Sequence, residues 1–125
     1  MPAQTNLYSA RVEETVAFYL RLGFLETFRT PTDGAPIHVE LVLDGFKLGV
    51  AAAESARRDH GLDIDAAGRG AEVCVWVDDV DATYAELLAH GATSMSEPHD
   101  WLENLRVAWV ADPDGHPVEL VKNTS

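Results

Sequence analysis

Five histidines, one cysteine, three tryptophans and 21 carboxylates carry the chemistry open to this chain. His60 lies in a charged stretch and His90 at a helix end, where exposure is the ordinary state and a positive charge helps only modestly. His116 sits in a turn, which leaves His38 and His99 as the imidazoles placed to reach a cavity. None of them falls into a Ser-His-Asp, Cys-His or zinc pattern, and no glycine-rich phosphate loop is present. Cys74 is alone, so no internal disulfide can form, and its place in the middle of a strand predicts a buried, inert thiol. Stacking and ion pairing remain. Trp76 shares a strand face with Glu72, and a ring beside a carboxylate can hold a planar cation, each ring contributing about 0.5–2 kcal/mol. Trp101, in PHDWLENL, falls on a polar loop, where a large aromatic predicts a ligand or dimer contact. Trp109 alternates with Leu105 and Val107, so core and cavity both stay open for it.

The charge balance narrows the partners. Nine bases against 21 acids give a formal net charge of -12, which opposes nucleic acid and anionic membrane surfaces and attracts cations. The same acids also serve solubility alone, so charge by itself selects no function. With 46% hydrophobic and 24% charged residues the composition is that of a globular domain. The opening MPAQTNLYSA lacks a basic start followed by an apolar run, and no stretch approaches the roughly 18 apolar residues of a membrane span. A cytoplasmic protein is expected.

The elements that must position these groups are organised around residues 71–92, AEVCVWVDDVDATYAELLAHGA. Val73, Val75 and Val77 alternate with Glu72, Cys74 and Trp76, the two-residue period of a strand. A helix follows from an Asp cap at 78–79, through Val80, Tyr84, Leu87 and Leu88, to a stop at Gly91. Moved back by 68 residues, the same plan appears in VEETVAFYLRLGF, with Val12, Thr15, Ala17, Leu20 and Gly23 matching Val80, Thr83, Ala85, Leu88 and Gly91. Asp44-Gly45 matches Asp114-Gly115 at an offset of 70. A period near 70 predicts one domain over 1–125 made of two repeats sharing a core: a first module at 1–53, a linker at 54–70 and a second module at 71–125.

Within the first module strands are predicted at 4–9, 24–30, 37–43 and 46–52 with a helix at 13–22, and Asp44-Gly45 forms a two-residue hairpin. The linker has poor periodicity, with a short helical start near Glu54. In the second, strands are predicted at 72–77, 93–96, 105–111 and 118–122, with a turn at DPDGHP. The order is β-α-β-β-β, twice.

AFYLRLGF after a first strand, VDDVDATYAELLAHGA after a fifth and ADPDGHPVELV at the end resemble the vicinal oxygen chelate superfamily, which includes glyoxalase I, extradiol dioxygenases and bleomycin resistance proteins. The resemblance spans nearly the whole chain and implies an α+β fold of two βαβββ modules forming a curved, partly open mixed β-barrel, paired into a dimer with ligand cavities between modules. Metal-dependent members place ligands at four equivalent positions, which here fall on Gln4, Gly49, Glu72 and Glu119. Gly49 has no donor, and no imidazole stands at any of the four. An oxygen-only set would suit a hard ion better than zinc, nickel or iron.

The resemblance therefore implies a non-catalytic binding protein like the bleomycin resistance branch, with no metal and no cofactor. Its ligand would be a cationic or planar aromatic small molecule such as an antibiotic, and its state a homodimer. Glu72 and Glu119 would supply charge, Tyr8, Trp76, Trp101 and Trp109 the walls, and His38 a polar contact. Two alternatives stand beside it: a metal-dependent lyase, isomerase or dioxygenase using Gln4, Glu72 and Glu119, and an ancillary protein for an unrelated small ligand.

Overall fold

The computed structural model describes residues 3–64 and 71–125 and divides into two compact units, 1–66 and 67–125. In the first, β1 (Thr5–Ser9), α1 (Val12–Arg21), β2 (Leu25–Thr30), β3 (His38–Leu43), β4 (Phe46–Ala52) and α2 (Ala53–His60) follow one another. The second holds β5 (Val73–Trp76), α3 (Val80–Ala89), β6 (Thr93–Trp101), β7 (Leu105–Ala111) and β8 (Pro117–Asn123). Each unit builds one four-stranded mixed sheet, ordered β1-β4-β3-β2 in the first and β5-β8-β7-β6 in the second. These are the same topology, and the register agrees with the two sequence offsets. Asn6 pairs with Gly49 across the parallel β1–β4 ladder, and Cys74 with Glu119 across β5–β8.

Alternation sets the two faces of each sheet. Leu7, Val39, Leu41, Leu48 and Val50 are buried on the side where α1 packs, together with Val16, Phe18, Tyr19 and Phe24. In the second unit Val73, Val75, Ala108, Val110, Val118 and Leu120 are buried, with Val80 and Leu87 of α3. The helix starts as the sequence predicts, the Asp79 carboxylate accepting the Ala82 N–H at 3.0 Å. Between β3 and β4 the two-residue turn forms at Asp44 and Gly45, both with positive φ, the geometry that lets a tight hairpin follow the strand twist.

The helical start expected near Glu54 is present: α2 covers 53–60, buries Ala53, Ser55 and Ala56, and carries Arg57, Arg58 and His60 in its last turn, where cations suit the dipole. Residues 65–70 of the predicted linker lie outside the described residues. Strand β6 continues past 96 to Trp101 as an edge strand, where a proline is tolerated, and the register shift between Ser96 and His99 accommodates Pro98. Trp101 is thus the last residue of a strand and not part of a loop. On α1 Leu20 is exposed, while Phe18 is buried in the core.

Candidate functional site

The side chains that could do chemistry lie on the sheet faces opposite α1 and α3. In the second module the row Trp109–Glu119–Cys74 runs across β7, β8 and β5, with Val107–Val121–Trp76 beside it. Glu72 extends this face toward the start of β5. Trp109 faces this side and not the helix-packed core. Its indole N–H donates to Glu72 Oε1 at 3.1 Å, and its ring stacks on His99 with centroids 6.3 Å apart. Trp101 is on the same face, since it pairs with Leu105 as His99 pairs with Val107.

Exposure separates the three rings. Trp76 is 65% exposed and Trp101 52%, while Trp109 is half-buried. The contacts given above join Glu72, Trp109 and His99; Trp76 and Trp101 share their face without a hydrogen bond or ring contact to them among the described residues. Burial, with Glu72 next to it, pushes the Glu119 carboxyl above the usual carboxylate range. Cys74, expected buried, is exposed: the register puts it on the face opposite α3. Its thiol is nonetheless inert: desolvation of the sulfur, then the charges of Glu119 and Glu72, raise its pKa to about 11.

The first module carries a polar counterpart. Across β1, β4 and β3 the rows are Asn6–Gly49–Glu40 and Tyr8–Ala51–His38. Gln4 donates its amide N–H groups to Asn6 Oδ1 at 2.8 Å and to Glu40 Oε2 at 3.2 Å, and His38 Nε2 lies 3.2 Å from the same oxygen. These bonds, Gln4 first, hold the Glu40 carboxyl below its usual range and so keep it ionised. Tyr8 and His38, at the two ends of one row, are both half-buried. Glu40 was not among the residues read from the sequence as candidates. Its alternation with His38 along one strand face was the available signal.

The four positions that resemblance marks for a metal do not fit one. A Cβ at Gly49 would collide with Asn6 Oδ1 and stand 3.1 Å from His38 Cε1, so the place of a ligand there is filled by the Asn6 amide and the edge of the His38 ring. Gln4 has only its amide oxygen to give, Glu72 Oε1 is engaged by the Trp109 indole N–H, and burial beside Glu72 raises the Glu119 carboxyl above its ordinary value. Among the described residues one trio, Asp112, Asp114 and His116, has donor atoms within 4.8 Å of one another. It is a turn lock: Asp112 accepts the backbone N–H groups of Asp114 and His116, each at 2.9 Å, and sits 2.7 Å from His116 Nδ1.

Compared with known proteins, residues 2–120 match the model of a family described as the Glyoxalase/Bleomycin resistance protein/Dioxygenase superfamily. No curated protein sequence matches the chain. Among solved structures it is similar to a glyoxalase-related enzyme from Fulvimarina pelagi, at 22% identity and a TM-score of 0.80, covering 98% of this chain and 88% of that one. TioX from Micromonospora sp. ML1 shares 25% identity, with a TM-score of 0.74 and coverage of 98% and 99%. A lactoylglutathione lyase from Agrobacterium tumefaciens shares 22%, with a TM-score of 0.71 and coverage of 97% and 92%.

Proposed function

The chain belongs to the glyoxalase/bleomycin resistance protein/dioxygenase superfamily, and on that footing we propose that it is a non-catalytic binding protein that sequesters a planar aromatic or cationic small molecule, such as an antibiotic. Members of this superfamily bind small molecules. The observation that carries the finer reading is the second module's face opposite α3. An exposed Trp76 and a half-buried Trp109 stand there with the carboxyl groups of Glu72 and Glu119. Large rings left unpacked on a sheet face gain by stacking on a flat ligand. Tyr8 and His38 offer the same kind of contact on the first module, and Trp101 extends the aromatic set along β6. No bond of the ligand needs to break.

Titration of tryptophan emission with a panel of planar aromatic cations and their neutral analogues tests this. Binding should change the emission, and Trp76→Ala should weaken it by more than about 1 kcal/mol, the usual threshold for a contact that matters. Emission and melting temperature unmoved across both halves of the panel would sink the proposal. So would a near-equivalent amount of Mn, Fe, Ni or Zn per chain in protein purified without chelator and lost in Glu119→Ala, which would favour a metal-dependent enzyme instead.

A further inference from the structure

We propose that Glu40 is the cation-receiving group of this protein, the centre of a subsite built by Gln4, Asn6, Glu40 and His38 on the first module's sheet for an organic cation with N–H donors. The proposal rests on the small-molecule-binding reading and moves its charge recognition away from Glu72 and Glu119.

The carboxylates differ in what they have left to give. Glu72 already accepts the Trp109 indole N–H, and Glu119 is half-buried beside Glu72, which raises its pKa, so neither is held as an oriented, uncommitted anion. Elsewhere Glu13 and Glu26 are taken by Arg29. Glu40 is held differently. Both of its side-chain bonds, from Gln4 and His38, fall on Oε2. Among the described residues Oε1 accepts none, and the side chain keeps 36% of its exposure. One oxygen is therefore fixed in direction while the other is turned to an incoming donor. A charge-assisted bond to an oriented carboxylate is stronger and cheaper in entropy than one to a free side chain.

The surroundings suit a flat head group. Between the flanking strands β4 contributes only Gly49 and Ala51 to these rows, so no bulky side chain separates Asn6 and Tyr8 on β1 from Glu40 and His38 on β3. Gly49 is obligatory for this, because a methyl there would displace the Asn6 amide that Gln4 holds. Tyr8 and His38 bring rings to the adjacent row, where a cation gains from the ring face. Lys47, two residues before Gly49 on the same face of β4, adds a positive charge nearby but makes no ion pair with Glu40 among the described residues.

Calorimetric titration with benzamidine and with its neutral isostere benzamide reads the subsite directly. The wild-type protein should prefer benzamidine by about tenfold or more, the size of one hydrogen bond to a charged group. Glu40→Gln, which keeps the side-chain shape, should bring the ratio close to one, while Glu86→Gln, at an exposed position of α3, leaves it intact. Glu40→Asp, a second variant in case the first folds poorly, should retain a reduced preference. An undiminished ratio in Glu40→Gln, or a ratio that collapses in Glu72→Gln or Glu119→Gln instead, overturns the proposal and leaves the sequestration reading standing. Absence of binding by both compounds overturns it too, and the fluorescence titration, which does not depend on Glu40, then decides whether the broader reading falls with it.

Discussion

Gly49 is where the two modules part company most clearly. Its register equivalent in the second module is Glu119, and the equivalent of Glu40 is Trp109, so one face became polar and the other aromatic from the same plan. The Asn6 amide lies where a Gly49 side chain would be, held by Gln4. Gly49→Ala should therefore destabilise the protein by about 1 kcal/mol, the low end of what overpacking costs, since Asn6 can swing away at the expense of its bond. In an Asn6→Ala background the same substitution should instead stabilise by up to about 1 kcal/mol, because a strand glycine is entropically costly. Urea melts of the four proteins give the coupling as a double-mutant cycle. Equal effects in both backgrounds would show that Asn6 does not occupy that space.

At the scale of elements, the β7–β8 hairpin depends on a buried pair. Asp112 and His116 are 4% and 8% exposed, and the Asp112 carboxylate, by hydrogen bonding first and charge second, raises His116 above its ordinary value of 6.5. A group whose pKa rises on folding stabilises the fold fully below its unfolded value, and that contribution is lost as the pH climbs through the folded value. Stability measured by urea unfolding should thus fall as pH rises above about 6.5. In His116→Gln this part of the pH dependence should vanish. A wild-type profile identical in shape to that of the variant would mean the pair is not charged in the fold. The modules also share a tie between helix and sheet: Arg29 of β2 reaches Glu13 in the first turn of α1, and Arg106 of β7 reaches Asp81 in the first turn of α3. Glu13 and Asp81 are related by the offset of 68 seen in the sequence.

For the whole molecule, the edge strands pose the question of what covers them. Leu25 and Phe28 of β2 are 68% and 49% exposed, and β6 ends in Trp101 with Leu102 following at 67%. Uncovered edges with apolar side chains invite association. Together with the dimer implied by family resemblance, this leads to an expected mass of two chains in sedimentation equilibrium at micromolar concentration. A mass of one chain, unchanged on concentration, would reject it. Among the described residues no helix is long and apolar enough to cross a membrane.

The order of strands and helices, the doubling near 70 residues, the Asp44-Gly45 hairpin and the Asp79 cap were legible in the sequence because each is local: a period, a turn chemistry or a cap is written in neighbouring residues. Family membership followed from the same local motifs. Of the helix at 53–60 only a short start near Glu54 was legible, because its charged residues give a weak apolar period, and burial of Ala53 and Ala56 fixes its extent. What lies beside what across a sheet is not local. Register alone exposes Cys74, turns Trp109 away from the core, carries Trp101 into β6 and sets Asn6 over Gly49. Glu40, an unremarkable acid in a run of alternating residues, gains its meaning only when strand pairing places it beside a glycine forty-odd residues from Asn6 in the chain, with Gln4 and His38 fixing one of its oxygens.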